Sequence, residues 1–147
     1  MVNLESLDLS LVPAVDLASL ARCAGYQTHL DNVQADLAPL LSNVQCTVLS
    51  LCRLSLPTAD TQALVAAMTK GVGMVELGSR GGGQGVTLDI ETLAQYDGRG
   101  ECGELWVKGD DTMRRCGDQV KEWAGRMGWR VERDDFYSIQ IRRNDDL

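Results

Sequence analysis

The stretch CTVLSLCRL, residues 46–54, places Cys46, Leu49, Leu51 and Leu54 at the spacing L-x-x-L-x-L-x-x-N. Apolar residues two apart belong to one face of a short strand, so this spacing reads as a strand with one side in a core. The same offsets recur on both sides of it. LESLDLSLV gives Leu4, Leu7, Leu9 and Val12, and CGELWVKGD gives Cys102, Leu105, Val107 and Asp110. FYSIQIRRN gives Phe136, Ile139, Ile141 and Asn144. Two weaker copies are GYQTHLDNV, with Gly25, Thr28, Leu30 and Val33, and VGMVELGSR, with Val72, Val75, Leu77 and Arg80. The copies begin at residues 4, 25, 46, 72, 102 and 136, at intervals of 21, 21, 26, 30 and 34.

Helical periodicity fills the intervals. Leu17, Leu20, Ala21 and Ala24 share one face after Pro13, as do Leu37, Leu40, Leu41 and Val44. Leu64, Ala67 and Met68 follow Pro57, with Thr58 or Asp60 as cap; Ile90, Leu93 and Ala94 follow Thr87 or Asp89. The longest stripe is Met113, Cys116, Val120, Trp123, Ala124 and Met127, ended by Gly128.

Short strands of this spacing alternating with helices every 20 to 30 residues resemble leucine-rich repeats. The helical connections resemble the ribonuclease-inhibitor-like type, found in the repeat regions of NLR-type innate-immune receptors. The resemblance implies an α/β fold: a leucine-rich-repeat solenoid with a curved parallel sheet of about six short strands and helices on the convex side. It covers nearly the whole chain, 1–147, as a single domain, with 102–147 as its C-terminal cap region. Between 101 and 147 there are 11 acidic and 9 basic residues, suiting a polar end to a stack. The ninth-position Asn of the family occurs once, as Asn144. VNLESLDL begins almost inside a strand, which fits a piece of a longer array as well as a short protein. The rival architecture is an ordinary α/β domain of parallel strands and helices.

The third, fifth and seventh positions of each copy then point away from the core, onto the concave face by which solenoids bind. The expected binding residues are Asp8, His29, Asp31, Ser50, Cys52, Glu76, Glu104, Trp106, Lys108, Gln140 and Arg142. Ser6, Ser10, Gln27, Val48, Met74, Gly78 and Ser138 complete the face. An outward Trp106 is its natural anchor, because a tryptophan buries much area at low entropic cost. Cys52 is expected to be exposed there, whereas Cys46 and Cys102, at the first repeat position, are expected in the core.

The glycine-rich stretch GSRGGGQGVTLD, residues 78–89, supports a second reading. Glycines before a helix let backbone N–H groups approach an anion. A small α/β nucleotide- or anion-binding protein using the Gly78–Gly85 loop is therefore the alternative function. Against it, Gly85 is followed by Val86 and Thr87, so the P-loop lysine is missing, and the spacing of Gly78, Gly81 and Gly83 does not fit G-x-G-x-x-G. The repeat register makes the stretch an insertion after the Val72–Leu77 strand.

Other chemistry is excluded more simply. His29, the single histidine, has no sequence-apparent partner, so no catalytic set is expected. The paired aspartates at 110–111, 134–135 and 145–146 lack calcium-loop spacing, and the five cysteines form no C-x-x-C pair. No cofactor and no metal are expected, and the cysteines read as reduced thiols of a cytoplasmic protein. A net charge of −7 disfavours nucleic acid, and no apolar run is long enough to span a membrane. The expected partner is a protein ligand, with self-association as a further contact. The expected activity is non-enzymatic protein–protein recognition, with innate-immune sensing or its regulation implied by the resemblance alone.

Overall fold

A computed structural model describes residues 3–8, 24–31, 37–42, 44–78, 85–135 and 137–143. Expectations for Ser10, the helix around Leu17 to Ala21, Cys23, Arg80, Gly81 to Gly83, Phe136 and Asn144 lie outside them. The chain forms an α/β fold around a mostly parallel mixed sheet of seven strands, in the order β1-β2-β3-β5-β7-β9-β8. The first five are β1 (Asn3–Asp8), β2 (Ala24–Asp31), β3 (Gln45–Cys52), β5 (Val72–Leu77) and β7 (Glu104–Lys108). They are parallel, and each neighbours the next in chain order. A two-residue parallel pair, β4 (Ser55–Leu56) and β6 (Thr87–Leu88), stands apart.

The spacing found in the sequence is the hydrogen-bond register of the sheet. Leu4 partners Gly25, Gly25 partners Cys46, and Cys46 partners Val72. Leu7, Thr28, Leu49, Val75 and Leu105 likewise lie in one row across five strands. Positions at the same offset in these sequence stretches therefore stand side by side.

The sixth copy departs from this. β9 (Ser138–Arg142) is antiparallel to β7, pairing Leu105 with Ile141 and Val107 with Ile139. β8 (Arg130–Asp134), which the sequence did not suggest, pairs antiparallel with β9 at the sheet edge. The expected all-parallel sheet is thus corrected to a mixed one. The cause is the short link from the preceding helix: an immediate return from β8 into β9 allows only a hairpin-like, antiparallel arrangement. Apolar alternation fixes which side chains face inward, not strand direction, so Ile139 and Ile141 fill the core either way.

The described helices are α1 (Ala38–Leu41), α2 (Thr58–Lys70), α3 (Ile90–Leu93) and α4 (Asp110–Met127). One buried cluster joins Leu64 and Met68 of α2, Leu93 of α3 and Val120 and Trp123 of α4 to Leu49, Leu51, Val75, Leu105 and Ile141 of the strands. Cys46 and Cys102 belong to it as expected. Val48 and Cys52 are buried but stand outside that cluster, on the opposite side of β3. Among the described residues the helices therefore pack on one side of the sheet. Ala24, expected on a helix, is the first residue of β2. α4 ends where Gly128 adopts φ 74°, a left-handed conformation that suits glycine, and its N–H reaches the Ala124 and Gly125 carbonyls. No described helix is long and apolar enough to cross a membrane.

Candidate functional site

On the side of the sheet that no described helix covers, the backbone register sets the expected binding residues in continuous rows. Asp8 partners His29, His29 partners Ser50, Ser50 partners Glu76, Glu76 partners Trp106, and Trp106 partners Gln140. Asp31 partners Cys52 on one flank, and Glu104 partners Arg142 on the other. Lys108 partners Ser138 beside them. Backbone register alone thus assembles residues spread over most of the chain onto one face.

Side-chain contacts run along and across these rows. His29 Nδ1 lies 3.1 Å from Ser50 Oγ, giving the histidine a partner that sequence spacing did not reveal. Arg53 grips Asp31 with two bonds of 2.6 Å from Nε and Nη2. Lys108 Nζ is 3.3 Å from Glu76 and 4.8 Å from the Trp106 ring centroid, a cation–π arrangement. Trp106 Nε1 donates to Glu104 Oε2 at 2.7 Å, and Arg142 Nε donates to Glu104 Oε1 at 2.7 Å. Half-buried Trp106 is therefore fixed both at its edge and over its ring.

Two expectations change. Cys52, expected exposed, is only 6 % exposed, and Ser50 only 4 %. Ser50 sits between the longer His29 and Glu76, whereas Cys52 lies between Asp31 and the Gly78 backbone. Burial pushes the Cys52 thiol above its ordinary value, with the charges of Asp31 and Glu76 adding to the rise. Cys52 Sγ lies 3.6 Å from the Gly78 carbonyl oxygen. A buried thiol held in its neutral form is a poor nucleophile.

β8 adds residues to the face that the sequence did not suggest. Arg130 partners Arg142, and Arg133 partners Gln140, so both extend the same rows. Glu132 lies 3.6 Å from Arg142 and 3.3 Å from Arg130. RVERD has one apolar residue among five, leaving no alternation to read.

The glycine-rich stretch lengthens one strand-to-helix connection. Residues 53–54 join β3 to β4, whereas residues 78–86 make the equivalent join from β5 to β6. The far end of the longer join is tied to the start of α4. Gly85 N–H donates to Asp111 Oδ2 at 2.7 Å, and Val86 N–H to Thr112 Oγ1 at 3.1 Å. Asp111 also binds Arg114 and Arg115, and these contacts, Arg115 first, hold its carboxyl below the usual range. A carboxylate thus occupies the donor that a bound anion would need at Gly85. Among the described residues no group of three His, Cys, Asp or Glu side chains is placed to hold a metal.

The fold and its ordered face define an α/β protein in which, among the described residues, helices cover one side of the sheet and leave the other free. Compared with family models, curated proteins and solved structures, the chain matches none.

Proposed function

We propose that the chain is a leucine-rich-repeat module for protein–protein recognition, a curved solenoid that binds a protein ligand through its helix-free face. One observation carries this reading: the sheet register aligns the repeat copies and lines up their outward positions as a polar face around Trp106. A partly desolvated tryptophan held by an acid and a cation is the kind of anchor that dominates interfaces. The reading is non-enzymatic and cytoplasmic, and innate-immune sensing or its regulation enters through the family resemblance. The Asp111 carboxylate at Gly85 argues against the nucleotide alternative.

Affinity capture tests it, comparing the chain with a Trp106→Ala, Arg142→Ala variant of matched circular dichroism and melting. A protein held by the wild type and released by the variant is expected. Equal capture by both sinks the assignment of the face. A nucleotide-induced melting shift without capture favours the glycine loop.

A further inference from the structure

The turn between β8 and β9 carries the most exposed aromatic among the described side chains. Tyr137 is 60 % exposed, and its ring joins no buried cluster. Its backbone is nonetheless pinned on both sides. The N–H donates to Asp135 Oδ1 at 2.8 Å, and the carbonyl accepts the Gly109 N–H at 2.7 Å. The hydroxyl has no partner among the described residues. Tyr96 is the opposite case. It is 1 % exposed, its hydroxyl donates to the Cys102 carbonyl at 2.6 Å, and burial pushes its phenol up to about 12.

We propose that Tyr137 is a tyrosine-phosphorylation site, with Arg133 as the cation that receives the phosphate. The two residues line one open cavity of about 360 Å³, together with Asp135 and Ser138. The cavity wall holds two hydroxyls. That of Ser138 is buried and donates to Asp135 Oδ1 at 3.3 Å, so the Tyr137 phenol is the one open to a modifying enzyme. Access is from one side. β8 lies at the sheet edge with all five residues exposed, whereas β9 runs between β7 and β8. A kinase therefore engages the extended strand that precedes the tyrosine. In the step, the phenol oxygen bonds to the γ-phosphorus of magnesium ATP, the bond to ADP breaks, and the phenol proton passes to the kinase's base. The product carries a charge of roughly −1.5 to −2 and strong acceptor oxygens. Arg133 is free to turn to it. Its ion-pair partner, Asp135 Oδ2, lies 3.9 Å away, and exposed pairs of that kind contribute little. Asp135 loses little in return, because Oδ1 keeps the N–H groups of Tyr137 and Ser138. Guanidinium and phosphate then form the forked, charge-assisted pair that orders such turns. This site stands apart from the recognition reading, and either can fail without the other.

Two measurements on the full chain test this. The first treats it with active tyrosine-kinase catalytic domains and magnesium ATP and maps the product by mass spectrometry. Phosphate at Tyr137 and none at Tyr96 is expected, and Tyr137→Phe is expected to lose it. No incorporation at Tyr137, or labelling of Tyr96 at the same rate, overturns the proposal. The second uses the chain with phosphotyrosine installed at 137 by joining a synthetic C-terminal peptide. Its phosphorus resonance is expected to titrate at lower pH than that of free phosphotyrosine, because a neighbouring guanidinium favours the dianion. Arg133→Gln is expected to cancel that shift. Equal titration with and without Arg133 overturns its role as the receiving cation. Capture of a protein through Trp106 by the unmodified chain leaves the recognition reading standing in either event.

Discussion

Trp106 and Glu104 stand two residues apart on β7, and the indole Nε1 donates to the Glu104 carboxylate at 2.7 Å. Residues two apart on a strand share a face, so the pairing follows from local geometry. The other oxygen of Glu104 takes Arg142 Nε from the neighbouring strand. One carboxylate thus joins β7 to β9 and orients the aromatic ring.

Trp106→Phe keeps an aromatic ring, smaller than the indole, and removes the donor. The loss is expected to be about 1 kcal/mol, the net value of one hydrogen bond, because Arg142 continues to satisfy Glu104. Urea denaturation measures it. Partner binding is expected to fall further for Trp106→Ala than for Trp106→Phe, separating area from the hydrogen bond.

Gly78 and Gly128 both have positive φ, 88° and 74°, but differ in their surroundings. A Cβ at Gly78 would collide with the Lys108 carbonyl and the Thr112 hydroxyl; a Cβ at Gly128 meets nothing within 4 Å. Gly128→Ala is expected to cost about 1 kcal/mol from backbone strain alone. Gly78→Ala adds overpacking and is expected to cost roughly 2–4 kcal/mol. Denaturant midpoints of the pair check this, and equal costs would contradict the close packing of β5 against the start of α4.

The inward residues of the sheet were legible because alternation reports burial directly. Leu49, Leu51, Val75, Leu77, Leu105 and Val107 are all fully buried at predicted positions. The rows of the face were legible for the same reason, since a shared register places equivalent positions together. Strand direction was not, because Ile139 and Ile141 fit the core whether β9 runs parallel or antiparallel. Exposure failed at Cys52, where a two-residue period gives the side of the sheet but not how far neighbouring side chains overhang it. The contact between His29 and Ser50 spans 21 residues and depends on pairing that periodicity alone does not show.

Adjacent residues of β3 provide a direct check on the alternation. Leu49 is fully buried in the helix-side core, and Ser50 is buried on the opposite face. Leu49→Ala is expected to cost about 3 kcal/mol through lost transfer energy and a residual cavity. Ser50→Ala removes the contact with His29 and is expected to cost about 1 kcal/mol. A reversed order of costs, read from urea midpoints, would place the core on the wrong side of the sheet.

The buried thiols predict how stability responds to alkali. Burial raises Cys102 from 9.0 to about 11, with backbone bonds and Arg143 opposing the rise. Burial raises Cys116 by the same cause from 9.0 to about 11. The folded state therefore keeps these protons after the unfolded chain has released them. Above pH 9 the native state binds more protons than the unfolded state, so stability falls as pH rises. The contribution is fully present below the unfolded value and is lost as pH climbs through about 11. Within that window each thiol is expected to remove about 1.4 kcal/mol per pH unit. Urea midpoints at pH 8, 9, 10 and 11 measure the slope. Cys116→Ala is expected to flatten it while costing little packing, since alanine keeps the Cβ and loses only the sulfur. A slope unchanged by that substitution would mean that Cys116 is not a source of the alkaline loss.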